Sequence, residues 1–199
     1  MITRKEMTRM LLKEGLLSCL ANNSFESVTV TSLCKASSIT RSTFYLHYSN
    51  IMEIVDDLVD DAIAYSKLGM VDNNNLQIIA KTLSAASNSV SLREAYDSIF
   101  DRLPLCQRII RHKKYLPLFL DEQISEYVLQ RIIGSEKERQ GLVMAEALGI
   151  SFDVGVSVFV FLVHGLYAIN KEYKWTQSDE WLEAQKVIFE LVYRGLQSK

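Results

Sequence analysis

Only two prolines and eight glycines interrupt the 199 residues, so the chain has few places where a turn is forced. That scarcity excludes a loop-rich or low-complexity protein and leaves room for long helices. Three cysteines, Cys19, Cys34 and Cys106, form an odd set without framework spacing. They argue against a disulfide-stapled fold and fit free thiols in a reducing cytoplasm, the expected location. No basic excess marks the chain, whose formal net charge is −2. The most apolar stretch, Val154 to Leu166, is too short for a bilayer and ends near His164, so a buried helix and no membrane partner are expected. The first ten residues are polar and mixed in charge with no apolar region behind them, unlike a secretory signal.

Catalytic signatures are missing too. There is no glycine-rich phosphate loop, no Gly-x-Ser-x-Gly elbow and no His-Glu-x-x-His pair, and the scattered His and Cys have no metal-ligand spacing. The expectation is a non-enzyme with no cofactor and no metal.

What is present is helical periodicity. Leu12, Leu16 and Leu20 recur at i, i+4 and i+8 within a helix expected from about Thr3 to Asn22. Thr29 caps a short helix over Val30–Ala36, Ser37-Ser38-Ile39 form a tight turn, and Thr40 caps a second short helix, Arg41–His47. Asn50 caps a longer helix reaching about Lys67, with Ile51, Ile54, Val55, Leu58, Val59 and Ile63 on its buried side. Asp72-Asn73-Asn74-Asn75 is the clearest break. Further helices are expected at about 76–89, 92–102, 105–113, 117–134, 136–148, 151–171 and 179–197, with Pro104 and Pro117 at helix starts. No segment alternates like a strand. The predicted fold is all-α, with residues 1–50 as one domain and 51–199 as a second, a helical bundle.

Two short helices joined by a tight turn need a third across their backs. Leu12, Leu16 and Leu20 supply it, against Leu33, Ile39 and Phe44. This predicts a helix-turn-helix whose second helix enters the major groove of duplex DNA. Its outward face would be Arg41, Ser42, Tyr45 and Leu46, flanked by Thr43 and His47. Arg suits guanine, and Leu or a Thr methyl the thymine methyl, while Tyr45, His47 and Thr31 offer donors to phosphate. Charge agrees locally. Residues 1–50 hold six basic side chains and three acidic ones, against 16 and 21 in the remainder.

The run from Thr29 to Tyr48, above all Thr-Phe-Tyr-Leu-His-Tyr at 43–48, resembles the N-terminal domain of TetR-family transcriptional regulators. The resemblance covers the first quarter to third of the chain. It implies DNA contacts at Thr31, Arg41, Ser42, Thr43, Tyr45, Leu46 and His47, and a C-terminal domain for effector binding and dimerisation. Two positions depart from the pattern. Ser38 stands where many members have Gly, and Ile51 where many have a phosphate-binding Lys, with Asn50 as an uncharged substitute.

For the homodimer interface the apolar stripes Phe152, Val156, Phe159, Val163, Tyr167 and Trp181, Ile188, Leu191, Val192 are the candidates, intramolecular core being the alternative. Candidate pocket residues for a small-molecule effector are Tyr65, Tyr96, Cys106, His112, Tyr115, Phe119, Tyr127 and His164. The basic run Arg108, Arg111, His112, Lys113, Lys114 reads as a solvated helix end, with an anionic effector as the second possibility. The expected function is a ligand-responsive repressor on a pseudo-palindromic operator. The alternative is a helical adaptor, or a partner-recruited coactivator with a weakened helix-turn-helix.

Overall fold

The computed structural model describes residues 3–68, 75–104, 107–108, 111 and 113–197. Among these residues every regular element is helical and there is no strand, as the sequence predicts. The α-helices, numbered here in chain order, are α1 (Arg4–Leu20), α2 (Val30–Ala36), α3 (Arg41–Tyr45), α4 (Ile51–Lys67), α5 (Asn75–Ser84), α6 (Ser89–Ser98), α7 (Leu116–Leu120), α8 (Ser125–Leu148), α9 (Phe152–Glu172) and α10 (Asp179–Gln197). Single 3-10 turns lie at Phe25–Ser27 and Phe100–Arg102. The predicted helix 105–113 lies mostly outside the described residues.

The chain divides into two compact units: Met1–Ser66 with Ile109–Ile132, and Lys67–Arg108 with Ile133–Lys199. The unit that contains residues 1–50 is therefore larger than that segment. It includes almost all of α4, all of α7 and the first turns of α8.

In the first unit, Thr3 and Glu6 close a capping box on α1, and Thr29 with Ser32 close another on α2. Leu12, Leu16, Leu33 and Phe44 are all fully buried; α1 packs on α2, and α2 on α3. Gly15 makes that approach possible. A Cβ there would stand 2.0 Å from Ser37 Oγ and 3.1 Å from Ser37 Cβ. Asp57 ties α1 to α4, accepting from Arg9 Nε at 3.0 Å and from the Tyr48 hydroxyl at 2.6 Å. Lys13 pairs with Asp61 one turn further along. From α8, Arg131 reaches Asp60 at 2.7 Å, and Tyr127 donates to Asp56.

The sequence predicts one helix over 117–134 and another over 136–148, but the chain breaks at 121–124 and then runs unbroken through Gly134 to Leu148. Asp121 makes the break. Its Oδ1 accepts from Gln123 and Ile124 N–H at 3.0 and 3.2 Å, while Oδ2 accepts from the distant Phe25 N–H at 2.6 Å.

In the second unit, α10 packs on α5 and α6. The core joins Ile79 and Leu83 to Leu92, Tyr96, Leu166, Trp181, Leu182 and Phe189. The indole of Trp181 donates to Asn170 Oδ1 at 2.9 Å and meets Tyr96 edge-on at 5.2 Å. Helices α8 and α9 cross at two glycines. A Cβ on Gly155 would lie 2.3 Å from the Gly141 carbonyl oxygen and 2.9 Å from Ala145 N.

Candidate functional site

Helix α2 ends at Ser37, and Ser38 turns the chain with φ 55°, in the left-handed region. Ser38 N–H donates to Lys35 O at 3.3 Å and Ile39 N–H to Cys34 O at 2.9 Å, so two of the last carbonyls of α2 are satisfied. This is the Schellman closure, with serine where glycine is usual. Thr40 then starts α3, its Oγ1 accepting from Thr43 N–H at 3.2 Å. The same oxygen bonds Ser42 Oγ at 3.0 Å and Thr43 Oγ1 at 2.8 Å.

Helix α3 is two residues shorter than the predicted Arg41–His47, and Leu46 and His47 lie in the turn after it. Phe44 is fully buried and Tyr48 nearly so, their rings 6.3 Å apart, leaving the other face outward. Arg41, Ser42 and Tyr45 are exposed, and Leu46 is 80% exposed, a large apolar side chain with no partner in its own unit. Thr43 and His47 are half-buried, and Thr31 on α2 is exposed. Of the seven residues implied by the resemblance, Thr31 lies on α2, Arg41, Ser42, Thr43 and Tyr45 on α3, and Leu46 and His47 in the turn that follows, and none is in the core.

At the start of α4, Asn50 Oδ1 accepts from Glu53 N–H at 3.1 Å, and Glu53 Oε2 accepts from Ser49 N–H at 2.8 Å. Ile51 is half-buried. Asn50 is committed as a cap, so no cation stands at this corner. Beneath it, burial alone would raise the Asp57 carboxyl. Hydrogen bonds from Arg9 and Tyr48 and the charges of Arg9 and Lys13 outweigh burial and hold it below the ordinary carboxylate range. The Tyr48 hydroxyl is pushed well up, by burial first and by its bond to Asp57 second.

The candidate pocket residues are distributed over both units. Tyr115 and Phe119 are buried in the first unit, where Tyr65 and Tyr127 are exposed. Tyr96 is core in the second unit, where His164 Nδ1 lies 2.9 Å from Val160 O. Cys106 and His112 lie outside the described residues. A cleft of about 500 Å³ in the first unit is lined instead by Glu6, Met10, Lys13, Glu14, Leu58, Asp61 and Lys114. Lys114 meets Glu14 at 2.6 Å, so its charges are largely paired.

Of the stripe residues on α9 and α10, Phe159, Val163, Tyr167 and Trp181 are buried in their own unit and serve as core. Val156, Ile188 and Val192 are half-buried, and Phe152 and Leu191 exposed. Beside them Phe161 is 75% and Leu191 64% exposed, with Val154 and Val187 also outward. Helix α9 runs 21 residues, longer than the predicted apolar stretch, and is long and apolar enough to cross a membrane, with 28% of its most apolar window buried.

The basic run is not uniformly solvated. Arg111, Lys113 and Lys114 are exposed, whereas Arg108 is 3% exposed beside Gln107 at 1%. Composition marked these positions only as cationic; a single Arg enclosed among exposed neighbours carries no local signal. Gln185 on α10 is likewise fully buried, with neither side-chain polar atom bonded.

The described residues thus define an all-helical protein of two compact units. No family model matches the chain, and no curated protein matches it either.

Proposed function

We propose that this chain is a sequence-specific DNA-binding regulator of the TetR type, acting as a cytoplasmic homodimer that answers to a small molecule. The observation that carries this reading is the split of α3 into two faces. Phe44 is fully buried, while Arg41, Ser42 and Tyr45, with Leu46 just after them, stand outward on a helix reached through the Ser38 turn. A helix-turn-helix uses that division to insert one short helix into the major groove. Each subunit would present its α3 to successive grooves about 34–36 Å apart, or a multiple of that. Repression is the expected sign, since a dimer seated on a promoter blocks it.

The exposed apolar surface of α9 and α10 supports the dimer. Phe152, Val154, Phe161, Val187 and Leu191 are all exposed, large apolar side chains of the kind a partner surface covers. An isologous pairing of α9 and α10 with a second copy would cover them.

A footprint on the promoter of its own or the adjacent operon, at stated salt, is the deciding experiment. Arg41→Ala should relax base preference at one position per half-site, whereas Tyr45→Phe should weaken all sequences alike. Unchanged affinity and preference in Arg41→Ala would remove Arg41 from the reading face.

One observation favours a second reading, an adaptor or partner-recruited coactivator. Ile51 and the committed Asn50 leave the start of α4 without a cation for phosphate. A folded dimer with no operator-sized footprint anywhere in the genome would establish that reading over the first.

A further inference from the structure

Arg108 is the most fully enclosed cation among the described residues, and its charge is answered only by a carboxylate that is itself mostly in water. One nitrogen, Nη2, donates to the Leu68 carbonyl at 2.7 Å. Nε and Nη1 have no hydrogen-bond partner. The nearest carboxylate, Asp101, is 3.6 Å from Nη2, beyond hydrogen-bond length, and its own side chain is mostly in water. Underneath, the Phe100 ring lies 5.4 Å from the guanidinium carbon and packs on the core of the unit. That ring fixes the plane of the guanidinium without satisfying its N–H groups. The adjacent Gln107 is also enclosed, and its Nε2 has no partner. Two consecutive side chains therefore hold at least three buried N–H groups that donate to nothing.

Leaving a buried guanidinium half-bonded is costly, because a charged donor removed from water loses more than a neutral one. Every unfilled valence here is a donor, so the missing partner is an acceptor. The charge is single and positive, so the missing partner is an anion. Asp101 is screened by water and offsets the charge only in part, so a monoanion leaves the least excess negative charge and a dianion leaves more.

We propose that Arg108 and Gln107 form the recognition site for the carboxylate of a small organic acid whose apolar part rests near Phe100. The guanidinium supplies the charge and charge-assisted hydrogen bonds, and Gln107 Nε2 supplies a neutral donor. This deepens the ligand-responsive reading by giving the effector a chemical class. It rests on that reading only for its regulatory meaning, since binding itself needs no DNA.

The test is calorimetry and thermal melting of the full chain without DNA, using hexanoate and benzoate against the neutral hexanamide and benzamide, with inorganic phosphate as a third arm. The carboxylates should raise Tm saturably, and the amides and phosphate should not. Arg108→Gln should weaken carboxylate binding roughly ten-fold or more, and Gln107→Leu by a smaller factor. If Arg108→Gln fails to fold, the wild-type comparison of acid with amide and the Gln107→Leu titration still decide.

Equal response to acid and amide, a full response in Arg108→Gln, or no response to either carboxylate would overturn the assignment. A stronger response to phosphate would overturn the choice of a monoanion. A protein that binds hexanoate through Arg108 yet leaves no footprint loses only the DNA-binding reading. One that footprints but ignores carboxylates loses only this site.

Discussion

Ser38, like Lys174 and Trp175, holds a backbone conformation that side chains rarely adopt. A serine at φ 55° holds its Cβ against the following carbonyl, and only the two hydrogen bonds closing α2 keep it there. Ser38→Gly relieves that contact and should stabilise the chain by about 0.5–1 kcal/mol, read as a higher urea midpoint. A lower midpoint would mean that the serine side chain contributes more than its backbone conformation costs. Asp57 makes a second prediction at this scale. Its folded pKa is depressed, so its stabilising effect is present above the unfolded value of about 3.9 and is lost as pH falls through the folded value. The stability gap between wild type and Asp57→Asn should therefore be full at pH 6 and shrink as pH falls below the ordinary carboxylate range. A gap that stays constant down to the acid limit would show that the carboxylate's charge is not what stabilises the α1–α4 contact.

Among the elements, the ones legible in the sequence are those whose ends are encoded locally. Thr29 and Ser32 fix the start of α2, Thr40 that of α3, and both begin where the capping residues predict. Helix α10 has its predicted bounds, 179–197, for a similar reason: Asp and Glu open it and its apolar stripe is broad. The break at 121–124 was hidden because half of its support is the Phe25 N–H, 96 residues away. Gly134 is the last residue of the predicted 117–134 helix, but it is exposed within α8, where a glycine costs only about 1 kcal/mol and does not stop a helix. The face of α3 was legible from spacing. The enclosure of Arg108 was not, since burial of one cation in a basic run depends on packing from elsewhere in the chain. The α8–α9 crossing makes its own prediction. At Gly155 an added methyl meets backbone that cannot rotate away, so Gly155→Ala should cost about 2–3 kcal/mol. Loss of midpoint without loss of helical circular dichroism is the expected signature, and an unchanged midpoint would show that the helices separate freely.

For the molecule as a whole, the uncovered apolar surface decides the state in solution. Phe161 is the most exposed of the large apolar side chains on α9, so a charge there should disrupt pairing without disturbing the core. Wild-type protein should sediment as a dimer and Phe161→Glu as a monomer with the same helical content. If wild type sediments as a monomer in buffer and associates with detergent or lipid instead, then α9 meets a bilayer rather than a second copy.

The linked hydroxyls of Thr40, Ser42 and Thr43 bear on entropy. Held 2.8–3.0 Å apart in the free chain, they lose their rotational freedom when the protein folds and not when it meets a partner. Whatever α3 docks against would find part of its surface already ordered, and association would carry a smaller entropic penalty than a loose threonine-rich turn would impose.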